Sequence, residues 1–109
     1  MTERHAKVLN KAVNVLKSEK YSSVVKRIYL YGSCAHGEEK YNSDVDLIVE
    51  VTRSLAHAEL AKLRYDAEND DYTLPEVNIY TKQENQDVSL SRVFNQNFEK
   101  DKVLLWERI

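Results

Sequence analysis

The chain is poor in cysteine, glycine and proline, and it has no long apolar run. It contains one cysteine, two glycines and one proline in 109 residues. One cysteine excludes an internal disulfide and a cysteine-based zinc site. No window approaches the 18 or more apolar residues of a membrane span, and the first residues lack the apolar region of a signal peptide. We therefore expect no membrane association and a cytoplasmic location.

An excess of positive charge is also missing. Lysine and arginine total 16 against 18 aspartate and glutamate residues, a net charge of −2. Proteins that neutralise several backbone phosphates carry a basic stripe, and the charges here are interspersed. Polymeric nucleic acid is thus not expected as a partner, whereas a single nucleotide is compatible with the charge. The length predicts one domain, spanning residues 1–109, with no internal repeat or low-complexity linker.

Hydrophobic periodicity predicts an alternation of helices and strands. The predicted helices cover residues 3–20, a segment from Ser54 as N-cap to Ala67, and a segment from about Ser89 or Ser91 to Phe98. The predicted strands cover 24–31, 44–51 and 76–81. Residues 103–106 form either an edge strand or a helix extension. This order predicts an α/β (α+β) fold, a small mixed sheet flanked by helices that pack mainly on one side.

Two carboxylates follow a glycine–serine pair at a fixed distance. Gly32-Ser33 ends one predicted strand, ten residues follow, and Asp44 and Asp46 begin the next strand. Side chains alternate along a strand, so both carboxylates should lie on one face. Paired carboxylates repel one another unless a cation lies between them, and Mg²⁺ prefers such oxygen ligands together with substrate phosphates. An Asp-x-Asp pair alone is more typical of a solvated turn, but this combination indicates a metal site.

The glycine–serine turn suits a phosphate group. A residue without Cβ lets the backbone approach phosphate closely. Ser33 adds a hydroxyl and a backbone N–H at the start of a short helix, where anions are favoured. We therefore expect Gly32 and Ser33 to hold the terminal phosphates of a nucleotide, and Asp44 and Asp46 to hold Mg²⁺ against its other phosphates.

These residues resemble a family motif. Gly32, Ser33, Ala35, Gly37, Ser43, Asp44, Asp46 and Leu47 match the pattern Gly-Ser-x-Ala-x-Gly, a spacer, then Ser-Asp-x-Asp-Leu. The chain thus resembles the DNA polymerase β-like nucleotidyltransferases, and more narrowly the minimal nucleotidyltransferases that act as antitoxins of HEPN-domain proteins. The resemblance implies transfer of AMP from ATP to a hydroxyl, in the antitoxin branch a tyrosine of the partner, with two Mg²⁺ ions. It implies nucleotide contacts from Gly32, Ser33 and Ser43 and metal ligation by Asp44 and Asp46.

The chain departs from the family pattern in its third predicted strand. The superfamily places a third carboxylate there, but this chain has Asn78, which cannot accept a proton as a base. Glu76, two residues earlier, is expected on the same face and is our candidate to replace it as a catalytic residue. Cys34 and His36 stand where relatives often have arginine; we expect Cys34 to pack as a small apolar residue.

Three functions therefore stay open. The first is an adenylyltransferase, and the second is a weakened antitoxin that neutralises its partner by binding alone. The third is a nucleotide-sensing regulatory domain. Assembly as a homo- or hetero-oligomer is equally open. His5 and His57 fall at unrelated helical positions, where surface or hydrogen-bonded structural histidines are expected rather than metal ligands.

Overall fold

The computed structural model describes residues 1–84, 86 and 100–109. Two α-helices lie wholly within these residues, α1 (Glu3–Leu16) and α2 (His57–Ala67). Four strands form one sheet: β1 (Val25–Tyr31), β2 (Val45–Val51), β3 (Val77–Gln83) and β4 (Val103–Glu107). Two short 3₁₀ helices cover Glu19–Tyr21 and Ser33–His36.

The sheet is mixed, with the strand order β3-β2-β1-β4. The central strand β1 is antiparallel to β2 on one side and to β4 on the other. Strand β2 runs parallel to β3, with Asp46 opposite Asn78. The β1–β2 connection carries the glycine–serine motif. It therefore lies at the same end of the sheet as the start of β3.

The main core lies between one face of the sheet and the two described helices. Side chains from α1, α2 and the sheet form one buried cluster, which includes Leu16, Ile28, Leu47 and Leu63. On β2 the cluster takes every second residue from Val45, whereas Ile48 packs on the opposite face beside Tyr29. The predicted fold class is confirmed: a small mixed sheet with helices on one side. Neither α1 nor α2 is long and apolar enough to cross a membrane.

The helix boundaries differ from the predicted ones. Helix α1 ends at Leu16 rather than at residue 20, because Ser18 donates its hydroxyl to the carbonyl of Val15 at 2.6 Å and competes with continued helix. The prediction of Ser54 as the N-cap of α2 was wrong. Ala56 occupies that position, and its N–H donates to the Glu59 carboxylate at 3.1 Å. The start of α2 is thus stabilised by the Glu59 side chain in its first turn, and not by a Ser54 hydroxyl.

The strands begin and end within a few residues of their predicted bounds. Strand β1 starts at residue 25 rather than 24, and β2 starts at 45 rather than 44. Strand β3 runs from 77 to 83 instead of 76 to 81, and residues 103–107 form an edge strand, which decides the open alternative. The helix predicted from Ser89 or Ser91 to Phe98 lies outside the described residues.

Candidate active site

Gly32 forms the turn between β1 and the 3₁₀ helix Ser33–His36. Its backbone has φ 81° and ψ −158°, a region that is open essentially only to glycine. A Cβ atom at this position would lie 2.9 Å from Oδ2 of Asp46, closer than side chains tolerate. The glycine is therefore required both by its backbone conformation and by the carboxylate that lies against it.

Asp44 and Asp46 meet at the side chain of Asn78. Asp46 is the second residue of β2, while Asp44 is exposed immediately before that strand. Nδ2 of Asn78 donates to Oδ2 of Asp44 at 3.1 Å and to Oδ1 of Asp46 at 3.0 Å. One nitrogen contacts both carboxylates, so they lie on one face, as strand alternation predicts, and close to a common point.

The electrostatics of this point favour a cation. Burial raises the pKa of Asp46 above its usual range, and the neighbouring charge of Asp44 raises it further. The hydrogen bond from Asn78 acts in the opposite direction. The ionised form of Asp46 is thus disfavoured in the free protein, and a cation between the carboxylates would relieve both the repulsion and the cost of burial.

The residues present fit a magnesium ion. Within the described part of the chain, no cluster of three or more histidine, cysteine, aspartate or glutamate side chains could hold a metal. The donor set is therefore Asp44, Asp46 and the amide of Asn78. Mg²⁺ is commonly held by one or two carboxylates, with phosphates and waters completing its shell. Asn78 directs its NH₂ group at the carboxylates, and the reversed amide would offer its oxygen to a cation.

The expected phosphate turn is closed by its own backbone. The Gly32 carbonyl accepts the N–H of Ala35 at 3.0 Å, and the Ser33 carbonyl accepts the N–H of Glu38 at 2.9 Å. The short helix begins at Ser33 as predicted, but it has only four residues. Little helix dipole can build up in so short a segment, so any anion binding here would depend on the hydroxyl and backbone N–H of Ser33.

Ser43 and Glu76 have local contacts in this structure. The Ser43 hydroxyl accepts the N–H of Lys40 at 2.8 Å and closes a turn. Glu76 is exposed one residue before β3, and its charge adds to the effect of burial in raising the pKa of Glu68. The nucleotide contacts of Gly32, Ser33 and Ser43 and the catalytic role of Glu76 stay predictions.

Cys34 and His36 lie on the 3₁₀ helix beside the site. Cys34 is buried in the core, as expected, and its thiol donates to the Asp44 carbonyl at 3.6 Å. Burial, supported by nearby carboxylates, raises the pKa of this thiol to about 11, so it is protonated at neutral pH. His36 is half-exposed, with Nε2 3.8 Å from a carboxylate oxygen of Asp101.

Two contacts of the site were missed by sequence reasoning. Asn78 was recognised only as a residue that cannot act as a base, and the structure shows that it donates to both carboxylates. His5 was expected to be a surface or hydrogen-bonded histidine, and it is completely buried with Nε2 2.9 Å from the carbonyl oxygen of Ser43. The orientation of an amide and a contact between residues 38 apart leave no periodic signal in a sequence.

Comparison with protein families identifies the fold and its motif together. The family model described as polymerase beta, nucleotidyltransferase, matches residues 10–108. The chain belongs to this nucleotidyltransferase family. The match covers the glycine–serine turn, both carboxylates and all four strands, so the predicted resemblance to the polymerase β-like nucleotidyltransferases is confirmed. A comparison with curated protein sequences gave no match.

Solved structures of low sequence identity share this family fold. A Sulfolobus solfataricus protein classed as a nucleotidyltransferase has a TM-score of 0.62 and 19% identity, covering 97% of this chain and 86% of its own. A toxin-antitoxin structure with AMP-PNP has a TM-score of 0.58 and 22% identity, covering 91% and 73%. A mutant form of the toxin-antitoxin pair MntA-HpeT has a TM-score of 0.61 and 23% identity, covering 92% and 72%. At these identities the comparison establishes the fold.

Proposed function

We propose that the protein is a Mg²⁺-dependent nucleotidyltransferase that moves AMP from ATP to a tyrosine hydroxyl of a HEPN-type partner protein, and so acts as an antitoxin. The observation that carries the proposal is the meeting of Asp44 and Asp46 at one point, 3.1 and 3.0 Å from the Asn78 nitrogen. Gly32 lies directly against that point. Membership of a nucleotidyltransferase family supports the same reaction.

In this reaction the acceptor hydroxyl oxygen attacks the α-phosphorus of ATP. The bond from that phosphorus to the bridging oxygen breaks, pyrophosphate leaves, and the hydroxyl proton passes to a base. Asp44 and Asp46 would hold Mg²⁺, which when bound neutralises charge on the phosphates. The turn at Gly32 and Ser33 would hold the leaving phosphates. Glu76 is the side chain we propose as the base, because Asn78 cannot accept the proton.

The protein partner and the adenine nucleotide are proposed from the similar structures. Two of these are toxin-antitoxin structures, and one of them contains AMP-PNP. Both cover more than nine-tenths of this chain, so the similarity extends over most of the fold. A protein acceptor also agrees with the architecture, because the described residues form the nucleotidyltransferase fold alone and include no separate domain for binding an acceptor.

One observation favours a second candidate, an antitoxin that acts by binding alone. The Asn78 amide already satisfies both carboxylates in the free protein, as a weak substitute for a cation. A site with two carboxylates and one neutral amide binds a metal ion less tightly than a site with three carboxylates. In this alternative the nucleotidyltransferase fold is retained as a binding surface for the partner, and no transfer occurs.

The two candidates are separated by AMP transfer rather than by ATP binding. The protein is purified with its partner and incubated with Mg²⁺ and α-labelled ATP, and the partner is then analysed for label by mass spectrometry. We expect label on a partner tyrosine with the parent and none with Asp44→Asn/Asp46→Asn. The double variant should remain folded, because it removes like charges. If neither the parent nor Asn78→Asp transfers AMP, the enzyme proposal fails and the antitoxin that acts by binding alone takes its place.

A further inference from the structure

The loop before β2 is tied to the first turn of α1 by a buried histidine. The His5 side chain is 0% exposed. Its Nε2 lies 2.9 Å from the carbonyl oxygen of Ser43, and its Nδ1 lies 2.5 Å from Oγ1 of Thr2. Both ring nitrogens therefore have partners, one of them in the residue directly before Asp44.

The hydrogen bonds of this ring run from Thr2 towards Ser43. Oγ1 of Thr2 accepts the backbone N–H of His5 at 3.2 Å, as the N-cap of α1. Its own proton can then be donated to Nδ1 of His5. Nε2–H donates to the Ser43 carbonyl, because a carbonyl oxygen can only accept. The chain of bonds has one direction, from Thr2 through His5 to Ser43.

Asp44 depends on such support more than Asp46 does. Asp46 lies within β2, between Tyr31 on β1 and Asn78 on β3. Asp44 lies one residue before the strand and outside its ladder of paired residues. The carbonyl groups on either side of Asp44 are held by side chains instead. His5 binds the Ser43 carbonyl at 2.9 Å, and the Cys34 thiol binds the Asp44 carbonyl at 3.6 Å.

We propose that His5 is a positioning residue for Asp44. By holding the Ser43 carbonyl, His5 sets the plane of the Ser43–Asp44 peptide and keeps the Asp44 carboxylate at the point it shares with Asp46. This inference rests on the proposed function only in that Asp44 is taken as a metal ligand. Groups that orient metal ligands in this indirect way typically change metal affinity by about 10–100-fold when they are removed.

Three substitutions at His5 separate positioning from simple packing. His5→Leu keeps an apolar bulk and removes the donor. His5→Gln places an amide nitrogen near the position of Nε2, whereas His5→Asn has the same amide on a side chain one methylene shorter, which does not reach Ser43. Val8→Ala is the matched control, since Val8 is 2% exposed on the same helix and belongs to the apolar core. If His5→Leu does not fold, the Gln and Asn variants carry the comparison.

The first measurement is the Mg²⁺ dependence of ATP binding, by calorimetry well below the melting temperature of every variant. We expect apparent Mg²⁺ affinity about 10–100-fold weaker in His5→Leu and His5→Asn, and close to the parent in His5→Gln and Val8→Ala. Equal losses in the Gln and Asn variants, or losses that follow stability and include Val8→Ala, would overturn the proposal.

The second measurement needs no ligand. In the nucleotide-free protein, the NMR resonances of the Asp44 backbone amide and the Asn78 side-chain amide should shift in His5→Asn and stay near the parent in His5→Gln. If those shifts occur but no variant, the parent included, binds Mg²⁺ and ATP, the proposed function fails and the positioning of Asp44 by His5 stands. If the resonances are unchanged in all variants, the positioning role is refuted.

Discussion

Replacing Gly32 with alanine should destabilise the protein far more than the same change at Gly37. Both glycines have positive φ, 81° and 68°. The Cβ of an alanine at Gly32 would lie 2.9 Å from Oδ2 of Asp46, whereas nothing lies within 4 Å of a Cβ at Gly37. The two positions therefore share a backbone penalty and differ in the contact with the carboxylate.

The size of the difference follows from these two terms. The backbone conformation of Gly32 costs a residue with Cβ about 1–3 kcal/mol, and the forced contact adds about 1–3 kcal/mol, as overpacking does. Gly37 is in the ordinary left-handed region, where the cost is about 1–2 kcal/mol. At roughly 4–8 °C per kcal/mol for a domain of this size, the summed terms of about 2–6 kcal/mol at Gly32 correspond to a melting temperature lower by about 10–50 °C, and the single term at Gly37 corresponds to about 4–16 °C.

Thermal and urea unfolding followed by circular dichroism give both values. A double-mutant cycle with Asp46→Ala isolates the contact, because removing the carboxylate should recover the overpacking term at Gly32 and recover nothing at Gly37. Titration with Mg²⁺ and ATP should also show weaker binding for Gly32→Ala alone. Equal destabilisation at the two glycines, with no coupling to Asp46, would refute the close approach of this carboxylate to the turn.

The remaining predictions concern charge and chemistry. Burial raises the pKa of Asp46 in the folded protein above its usual value of 3.8. Protonation of Asp46 therefore stabilises the folded state; this stabilisation is fully present below pH 3.8 and is lost as the pH rises through the folded-state pKa. Asp46→Asn should thus be more stable than the parent at pH 7 in urea unfolding, and its advantage should shrink as the pH falls towards 4. Asn78→Asp removes two hydrogen bonds and adds a third carboxylate. In the presence of a chelator, its free energy of unfolding should therefore be about 1–3 kcal/mol lower than that of the parent. Addition of Mg²⁺ and ATP should restore the stability. If the third carboxylate supplies a base, the same variant should transfer AMP about 10²–10⁴-fold faster than the parent. Glu76→Gln should slow the parent reaction. If neither variant changes the rate in the labelled-ATP assay, the base does not lie on this strand. Ser33→Ala should weaken nucleotide binding by about 1 kcal/mol, measured by calorimetry against the parent.

Local patterns predict the fold and the carboxylate pair well, because these depend on short-range rules. The period-two pattern of β2 correctly places Asp44 and Asp46 on one face. The same rule was extended to Glu76, but β3 begins at Val77. Asp44 also lies one residue before its strand, and its face is shown by the shared contact with Asn78 rather than by alternation alone. The placement of Glu76 on that face stays a prediction. The end of α1 likewise depends on one hydroxyl, that of Ser18.

The rest of the site depends on contacts between distant segments. Asn78 could be recognised from its place in the third strand, but only the three-dimensional arrangement directs its NH₂ group at both carboxylates. The bond from His5 to Ser43 joins two segments that no motif connects. Residue identity constrains what these side chains can donate or accept, and packing decides which of those options is used.

The Asn78 amide gives the free protein a resting state that needs no ion. Both carboxylates already have a donor, so free Mg²⁺ would have to displace these internal bonds, and that cost offsets part of what it gains by relieving the carboxylate repulsion. If the proposed function holds, the triphosphate would bring further oxygen ligands, and we expect favourable binding only when metal and nucleotide arrive together. In a cell, occupancy of the site would then depend on the concentration of the Mg²⁺–ATP complex rather than on that of free Mg²⁺. Titration with Mg²⁺ alone should give no saturable binding at millimolar concentrations, and clear binding of the ion without nucleotide would contradict this view.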